Sequence, residues 1–336
     1  MQRLYSDLLR PLFFLLDPET THELVLEFLS QTGELFERDP IHDVDALGIE
    51  IAGIHFPNRV GLAAGMDKNA EAMLAWQGIG FGFIELGTIT FHSQAGNSPP
   101  RLFRLPGQKS LLNRMGFNNP GAAAFLNPLQ NIKLSQKLKI PIGLNFGKSR
   151  IVPSDLIDQV IEDYRKSLNL LQSFADYLVL NISSPNTPGL REWEKPERLS
   201  QLLNPIAEIA QKPLFLKISP ELSLAEIDQV IELASQFKLA GLIATNTTIS
   251  RDGVPDWALK EPGGISGVLL KKQARQVTEY IARHKPKKLA LISVGGIDSP
   301  DEAKLRLELG ADLVQLYTAL VYEGPGLIVA INRSMA

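Results

Sequence analysis

Eight short runs rich in aliphatic and β-branched residues recur along the chain, at 59–63, 83–87, 142–145, 177–181, 214–218, 241–245, 289–294 and 313–316. Helical patterns fall between them, for example over 156–171, 226–237 and 269–284. Strands that alternate with helices run parallel, because each return to the same end of the sheet uses a crossover. Eight such units are the number that closes into a (β/α)8 TIM barrel, so the predicted class is α/β with that architecture. A doubly wound open sheet is the alternative. It usually carries Gly-x-Gly-x-x-Gly after a strand, whereas Gly78-Ile79-Gly80-Phe81-Gly82 precedes one here. Residues 47–60 alternate weakly around Gly53 and predict a small hairpin ahead of the barrel.

The absence of cysteine excludes disulfides, thiolate metal sites, cysteine-ligated clusters and a cysteine base within this chain. Five scattered histidines, with no His-Glu-x-x-His and no Gly-Lys-Ser/Thr loop, give no expectation of a metal or a nucleotide-triphosphate site. A net charge of −3 gives no electrostatic reason to expect nucleic-acid binding.

The N-terminal 36 residues form a separate predicted unit, with the barrel over 37–336. Leu4, Leu8, Leu12 and Leu15 recur at helical spacing, and Pro11 should kink or divide that helix. Asp17-Pro18 reads as an N-cap followed by proline at the first helical position. A second amphipathic helix follows, with Leu24, Val25, Phe28 and Leu29 expected on one face and Gly33 as its stop. No run reaches the roughly 20 apolar residues that span a bilayer. The pair either packs on the barrel or lies in a membrane surface. Residues 1–38 hold three arginines against seven carboxylates, including Glu34, Glu37 and Arg38, for a net of −4. Membrane docking would therefore rest on apolar insertion rather than on anionic lipid.

A barrel keeps its active site at the C-terminal ends of its strands, so those ends carry the functional reading. They supply the run 63–69 containing Lys68; Thr88; Asn145 and Lys148; Asn181 through Gly189; Lys217; Thr245 through Thr248; Gly295-Gly296; and Tyr317-Thr318. The long second loop adds 113–119. This set is rich in amides, hydroxyls and lysine and poor in carboxylates and histidine. Amides and hydroxyls suit the hydrogen-bonding edges of a flat heterocycle, and Lys68 and Lys217 suit anionic groups. The glycine-bearing segments 264–267 and 295–296 can present backbone N–H groups to a phosphate. A phosphorylated cofactor and a small planar anion fit that inventory.

At Asn181-Ile-Ser-Ser-Pro-Asn-Thr-Pro-Gly-Leu-Arg191 the sequence resembles the dihydroorotate dehydrogenases, and more narrowly class 2, the membrane-associated, quinone-reducing form. Gly-Leu-Ala-Ala-Gly-Met-Asp-Lys68, Asn113-Arg-Met-Gly-Phe-Asn118, Ser293-Val-Gly-Gly-Ile297 and Tyr317-Thr-Ala-Leu320 carry the same likeness. The resemblance implies oxidation of dihydroorotate to orotate in pyrimidine biosynthesis, with FMN as cofactor and a membrane quinone as final acceptor. It implies Ser184 as the catalytic base, where class 1 uses cysteine. Lys68, Asn113, Arg114, Met115, Gly116, Phe117, Asn118, Asn181, Asn186, Asn246 and Thr247 would surround the substrate. Ala64, Gly65, Met66, Asp67, Lys68, Thr88, Asn145, Asn181, Lys217, Thr245, Gly267, Gly296, Tyr317 and Thr318 would surround FMN. His22, Arg104 and Tyr317 would line a quinone tunnel under the helix pair.

The implied reaction takes a proton from C5 of dihydroorotate to Ser184 and a hydride from C6 to flavin N5. Serine is a poor base, so its own proton must leave as the substrate's arrives. Thr187 and an ordered water beneath Phe117 are the expected relay. Lys217 is expected to stabilise the negative charge of the reduced ring. Peripheral attachment to the cytoplasmic face of a bacterial inner membrane is expected, with no obligatory iron–sulfur partner subunit. Val321 stands where some relatives carry a hydroxyl. Rival readings are another FMN barrel oxidoreductase, a phosphate-ligand barrel without redox chemistry, and a membrane module on an inactive barrel.

Overall fold

The structure is a computed structural model that describes residues 4–33 and 47–336. The expected boundary between 36 and 37, and Glu34, Glu37 and Arg38, lie outside the described residues. Eight parallel strands close in sequence order into one barrel: β1 Val60–Leu62, β2 Phe83–Ile89, β3 Ile142–Phe146, β4 Tyr177–Asn181, β5 Leu214–Ile218, β6 Gly241–Ala244, β7 Ala290–Val294 and β8 Leu313–Leu316. Closure comes from β8 pairing with β1, Val314 opposite Val60 and Leu316 opposite Leu62. Each strand matches an expected run to within about two residues. The runs are legible because barrel strands are buried on both faces and so read as near-continuous apolar segments.

The N-terminal end of the barrel is plugged by aromatic rings. The expected hairpin forms from Ile49–Ile51 and Ile54–Phe56 and delivers Phe56 to Phe83, centroids 5.2 Å apart and edge to face. Tyr177 and Phe215 complete the plug at 5.4 Å. Glycines make room for these rings: a Cβ on Gly61 would lie 2.2 Å from the Phe83 ring, and one on Gly143 2.1 Å from Tyr177. Above the plug the barrel interior turns polar, with Glu85, Asn145, Lys217 and Gln315 all buried.

Helices surround the barrel and their ends follow local chemistry. Ser223 and Glu226 form a reciprocal capping box at the start of Leu224–Gln236, and Ser299 caps Pro300–Glu308. The C-terminal mouth is covered by a second sheet that the sequence reading did not anticipate. Gly264–Gly267 pairs antiparallel with Ser110–Asn113, which pairs with Leu102–Leu105. The segment 264–267, expected as a phosphate-presenting barrel strand end, is therefore a strand of this cap.

The N-terminal helices sit on the cap. Pro11 falls in the first turn of Arg10–Phe14, where its missing N–H costs little. The division occurs just before it, where a wide π-type winding over Tyr5–Leu9 becomes α-helix. The Asp17 carboxylate accepts from the N–H groups of Glu19 and Thr20 and starts Pro18–Thr32 as expected. The apolar face of that helix needs correction. Leu26 and Leu29 are buried and Val25 packs against the core, whereas Leu24 and Phe28 are exposed, Phe28 by 61%. The stripe is wider than one partner can cover, since residues 24 and 28 lie about 100° round the helix from 25 and 29. Gly33 does follow the helix, but with helical φ of −55° rather than a left-handed turn. Its missing side chain instead allows contact with Met73–Ile79, because a Cβ would lie 3.1 Å from the Ala75 nitrogen.

Candidate active site

One cavity opens between the barrel mouth and the cap, with about 1210 Å³ of space that includes its open entrance. Its wall includes Ala64, Gly65, Lys68, Thr88, Asn113, Met115, Gly116, Phe117, Asn118, Asn181, Ser184, Asn186, Lys217, Thr245, Asn246, Thr247, Gly267, Gly296, Tyr317 and Thr318. The ends of seven of the eight barrel strands, all but β3, thus converge with the cap on one wall.

An amide belt fixes the polar wall. Thr88 Oγ1 donates to Asn145 Oδ1 at 2.6 Å, and Asn181 Nδ2 donates to both Thr88 Oγ1 and Asn145 Oδ1 at 3.0 and 3.1 Å. Asn246 Nδ2 donates to Ser183 Oγ at 3.0 Å. Asn186 Nδ2 donates to the Asn113 carbonyl at 3.0 Å, tying the fourth loop to the cap sheet. Ser184 is buried, and its Oγ accepts from the Asn186 N–H at 3.2 Å. Thr187 is buried three residues on, and its hydroxyl has no protein partner. Phe117 holds φ of +54°, and Asn119 braces it through a 2.7 Å bond to its carbonyl.

Three lysines line the cavity, of which Lys109 is half exposed and paired with Glu323 at 2.8 Å. Lys68 Nζ donates to Asn118 Oδ1 at 3.0 Å. Burial pulls its ammonium down to about 8, so it is charged at neutral pH but not far above it. Lys217 Nζ meets Glu85 Oε1 at 3.2 Å on the barrel axis. Glu85 also accepts from Asn145 Nδ2 and Gln315 Nε2, each at 2.6 Å. A carboxylate with no exposure is therefore matched by one cation and two amide donors.

Several expected residues stand off the cavity. Asn145 lies behind its wall as the hub of the amide belt. Met66 packs into the core. The Asp67 carboxylate accepts from the N–H groups of Glu71 and Ala72 and from Trp76 Nε1, and burial pushes it up against those bonds. It shapes the turn that presents Lys68. Arg114 points outward, bonded to the Pro100 carbonyl and Glu261 and stacked on Phe103. Lys148 is buried away from the site, donating to the Ser149 and Val152 carbonyls.

His22 is carried by helix Pro18–Thr32 and Arg104 by the cap strand Leu102–Leu105, both outside the cavity wall. Burial, reinforced by the Lys68 charge, pulls the His22 imidazole down to about 3, so it is neutral at physiological pH. Arg104 donates to the Leu16 carbonyl at 2.7 Å and to Thr21 Oγ1 at 3.0 Å, and lies 4.6 Å over the Phe14 ring. Tyr317 joins the two regions. It lines the cavity, and it packs against the cluster of Leu102, Leu111, Met115 and Tyr322, on which Phe14 and Val321 also rest.

The sequence reading missed Glu85, Gln315, Lys109, Ser266 and Arg191. Glu85 carried a signal, a carboxylate inside an apolar strand. Arg191 braces the fourth and sixth loops, donating to the Ser183 and Thr247 carbonyls at 3.0 and 2.9 Å. No cluster of metal ligands occurs among the described residues.

A profile of the family described as "Dihydroorotate dehydrogenase" matches residues 46–336. The "Dihydroorotate dehydrogenase (quinone)" of a Thermus thermophilus strain is 46% identical over 321 residues, covering 93% of this chain and 90% of its own. The protein of the same name from a Synechococcus strain is 43% identical, covering 99% and 93%. The crystal structure of an Eimeria tenella enzyme, "DHODH in complex with ferulenol", superposes with a TM-score of 0.86 at 32% identity, covering 95% and 90%. A barrel whose strand ends gather this cavity, matched by these relatives over nearly its whole length, belongs to the dihydroorotate dehydrogenase family.

Proposed function

We propose that this chain oxidises dihydroorotate to orotate for pyrimidine biosynthesis, using FMN and passing electrons to a membrane quinone. The observation that carries the reading is a single cavity in which a buried serine, an amide belt, three lysines and glycine-rich loops meet. The cavity residues fit a flavin phosphate on Gly267, Gly296 and Thr318. Gly267 and Gly296 hold φ of +88° and +73°, and a Cβ on either would come within 2.8 Å of neighbouring backbone. Gln315 lines the cavity floor, its Nε2 held by Glu85 and its side chain also facing the Tyr177 hydroxyl of the plug. FMN, when bound, supplies the hydride acceptor and hands the electron pair on.

This chain's residues supply the rest. Lys68, Asn113, Asn118, Asn186, Asn246 and Thr247 hold the carboxylate and amide edges of the pyrimidine. Ser184 takes the C5 proton while surrendering its own, and Thr187, whose hydroxyl is free of protein partners, passes it on through water. Thr187→Val should slow flavin reduction about tenfold or more without weakening orotate binding; an unchanged stopped-flow rate refutes the relay. Lys217 offsets negative charge gained by the ring.

Exposed Leu4, Leu8, Leu12, Leu15, Leu16, Leu24 and Phe28 give the helix pair an unpaired apolar surface, and no helix among the described residues is long and apolar enough to cross a membrane. That surface supports peripheral attachment to the cytoplasmic face of a bacterial inner membrane. Quinone would enter beneath the helices past His22 and Arg104 toward Tyr317, with no iron–sulfur subunit required.

The deciding measurement is the anaerobic visible spectrum of purified protein before and after dihydroorotate. A yellow protein that bleaches is expected; a yellow protein that does not bleach moves the substrate elsewhere, and a colourless one removes the flavin. A second expectation concerns pH. The Lys68 ammonium is the form that binds an anion, and its folded value of about 8 lies below the usual lysine value. Orotate affinity should hold below pH 8 and fall about tenfold per pH unit above it, read from the orotate-induced spectral change, and that break should vanish in Lys68→Met.

A further inference from the structure

Arg306 lies on the outer helix Pro300–Glu308, is fully buried, and takes no part in the cavity wall. Its guanidinium makes four hydrogen bonds to fixed partners. Nε donates to Glu302 Oε1 at 2.7 Å, Nη1 to Ser293 Oγ at 2.9 Å, and Nη2 to the Gly295 carbonyl at 2.8 Å and the Lys271 carbonyl at 3.2 Å. It thereby ties the end of β7, the Gly295-Gly296 turn and the start of helix Lys271–His284 to one planar group. The turn has no slack of its own. Gly295 and Gly296 hold φ of +110° and +73°, and a Cβ on Gly296 would lie 2.5 Å from Lys271 Cα.

The Gly295–Gly296 peptide is trans and planar, so its C=O and N–H point in opposite directions. The C=O is drawn down to Arg306, away from the cavity, and Gly295 and Gly296 line that cavity. The Gly296 N–H is therefore aimed into it. Behind the turn, Arg306 and Arg275 share the Glu302 carboxylate, while Lys271 pairs with Asp298 at the cavity wall.

We propose that Arg306 is the positioning residue of a phosphate cradle: it orients the Gly295–Gly296 peptide toward the phosphate of the flavin, and so sets the preference for FMN over unphosphorylated riboflavin. The assignment rests on the FMN reading above. It is tested on apo protein titrated with FMN and, separately, with riboflavin, each followed by flavin fluorescence, with no turnover involved. Wild type should prefer FMN by at least about tenfold. Arg306→Met should weaken FMN by about tenfold or more while leaving riboflavin within about threefold, so that the preference collapses. Arg306→Lys keeps the charge but cannot serve four acceptors in a fixed fork. It should lose most of the preference too, and it carries the test if Arg306→Met does not fold. An unchanged FMN-to-riboflavin ratio in the folded variant, or equal weakening of both flavins, overturns the proposal in favour of a purely structural arginine. Wild-type protein that binds neither flavin overturns the FMN reading itself, and this assignment with it.

Discussion

Ser184→Ala should yield a folded, yellow protein whose flavin is reduced by dihydroorotate at least about 100-fold more slowly than in wild type. The structure separates chemistry from stability at this residue. Ser184 Oγ accepts one bond, from the Asn186 N–H, and no other side chain depends on it. The belt that shapes the wall runs through Asn181, Asn145, Thr88 and Asn246 and is untouched by the change. Orotate affinity should therefore stay within about threefold, because the loss falls on a proton transfer rather than on ground-state contacts. Anaerobic stopped-flow reduction and an orotate titration on the same preparation read the two quantities. Wild-type reduction in Ser184→Ala would remove Ser184 as the base. A parallel loss of orotate binding would make it a substrate-holding group instead.

Lys217→Met should be the most damaging single substitution for stability, at about 3–5 kcal/mol. It removes the one cation bound to Glu85 and leaves a carboxylate of zero exposure facing only Asn145 and Gln315. The pair itself is not expected to stabilise the barrel by that amount. Much of the cost of burying the two charges is repaid only when both are present, so breaking the pair and deleting it differ in effect. Glu85→Gln combined with Lys217→Met should accordingly recover most of the loss. Urea unfolding of the apo forms measures this without the flavin. Additive destabilisation in the double variant would show that the two groups are not coupled. The double variant should still bind its flavin less tightly than wild type, since Lys217 also lines the cavity.

The sequence alone was sufficient for the barrel. Strands buried on both faces read as apolar runs, and their number and alternation with helices leave little choice of topology. It also placed most of the proposed ring, though Asn145, Met66, Asp67 and Arg114 stand off the cavity. A barrel turns sequence position, the few residues after each strand, into spatial position, and Ser184, Lys68, Asn181, Asn246 and Lys217 all arrive on one cavity that way. The short cap strand Gly264–Gly267 was read otherwise, because a glycine-rich tetrapeptide has no period to show and its partner lies some 150 residues earlier in the chain.

What only the tertiary structure decided is which way each side chain faces and what it pairs with. Asp67 and Lys68 are neighbours in one motif, yet one braces a turn and the other enters the cavity, because successive residues leave the backbone in different directions. Leu24 and Leu29 belong to one helix, yet only Leu29 is covered. Glu85 and Lys217 are 132 positions apart, and Arg306 reaches Ser293 from another element. Local sequence carries propensity and period. The pairing of buried charges and the aim of a single peptide come from the close approach of distant segments, which exists only after the barrel has closed.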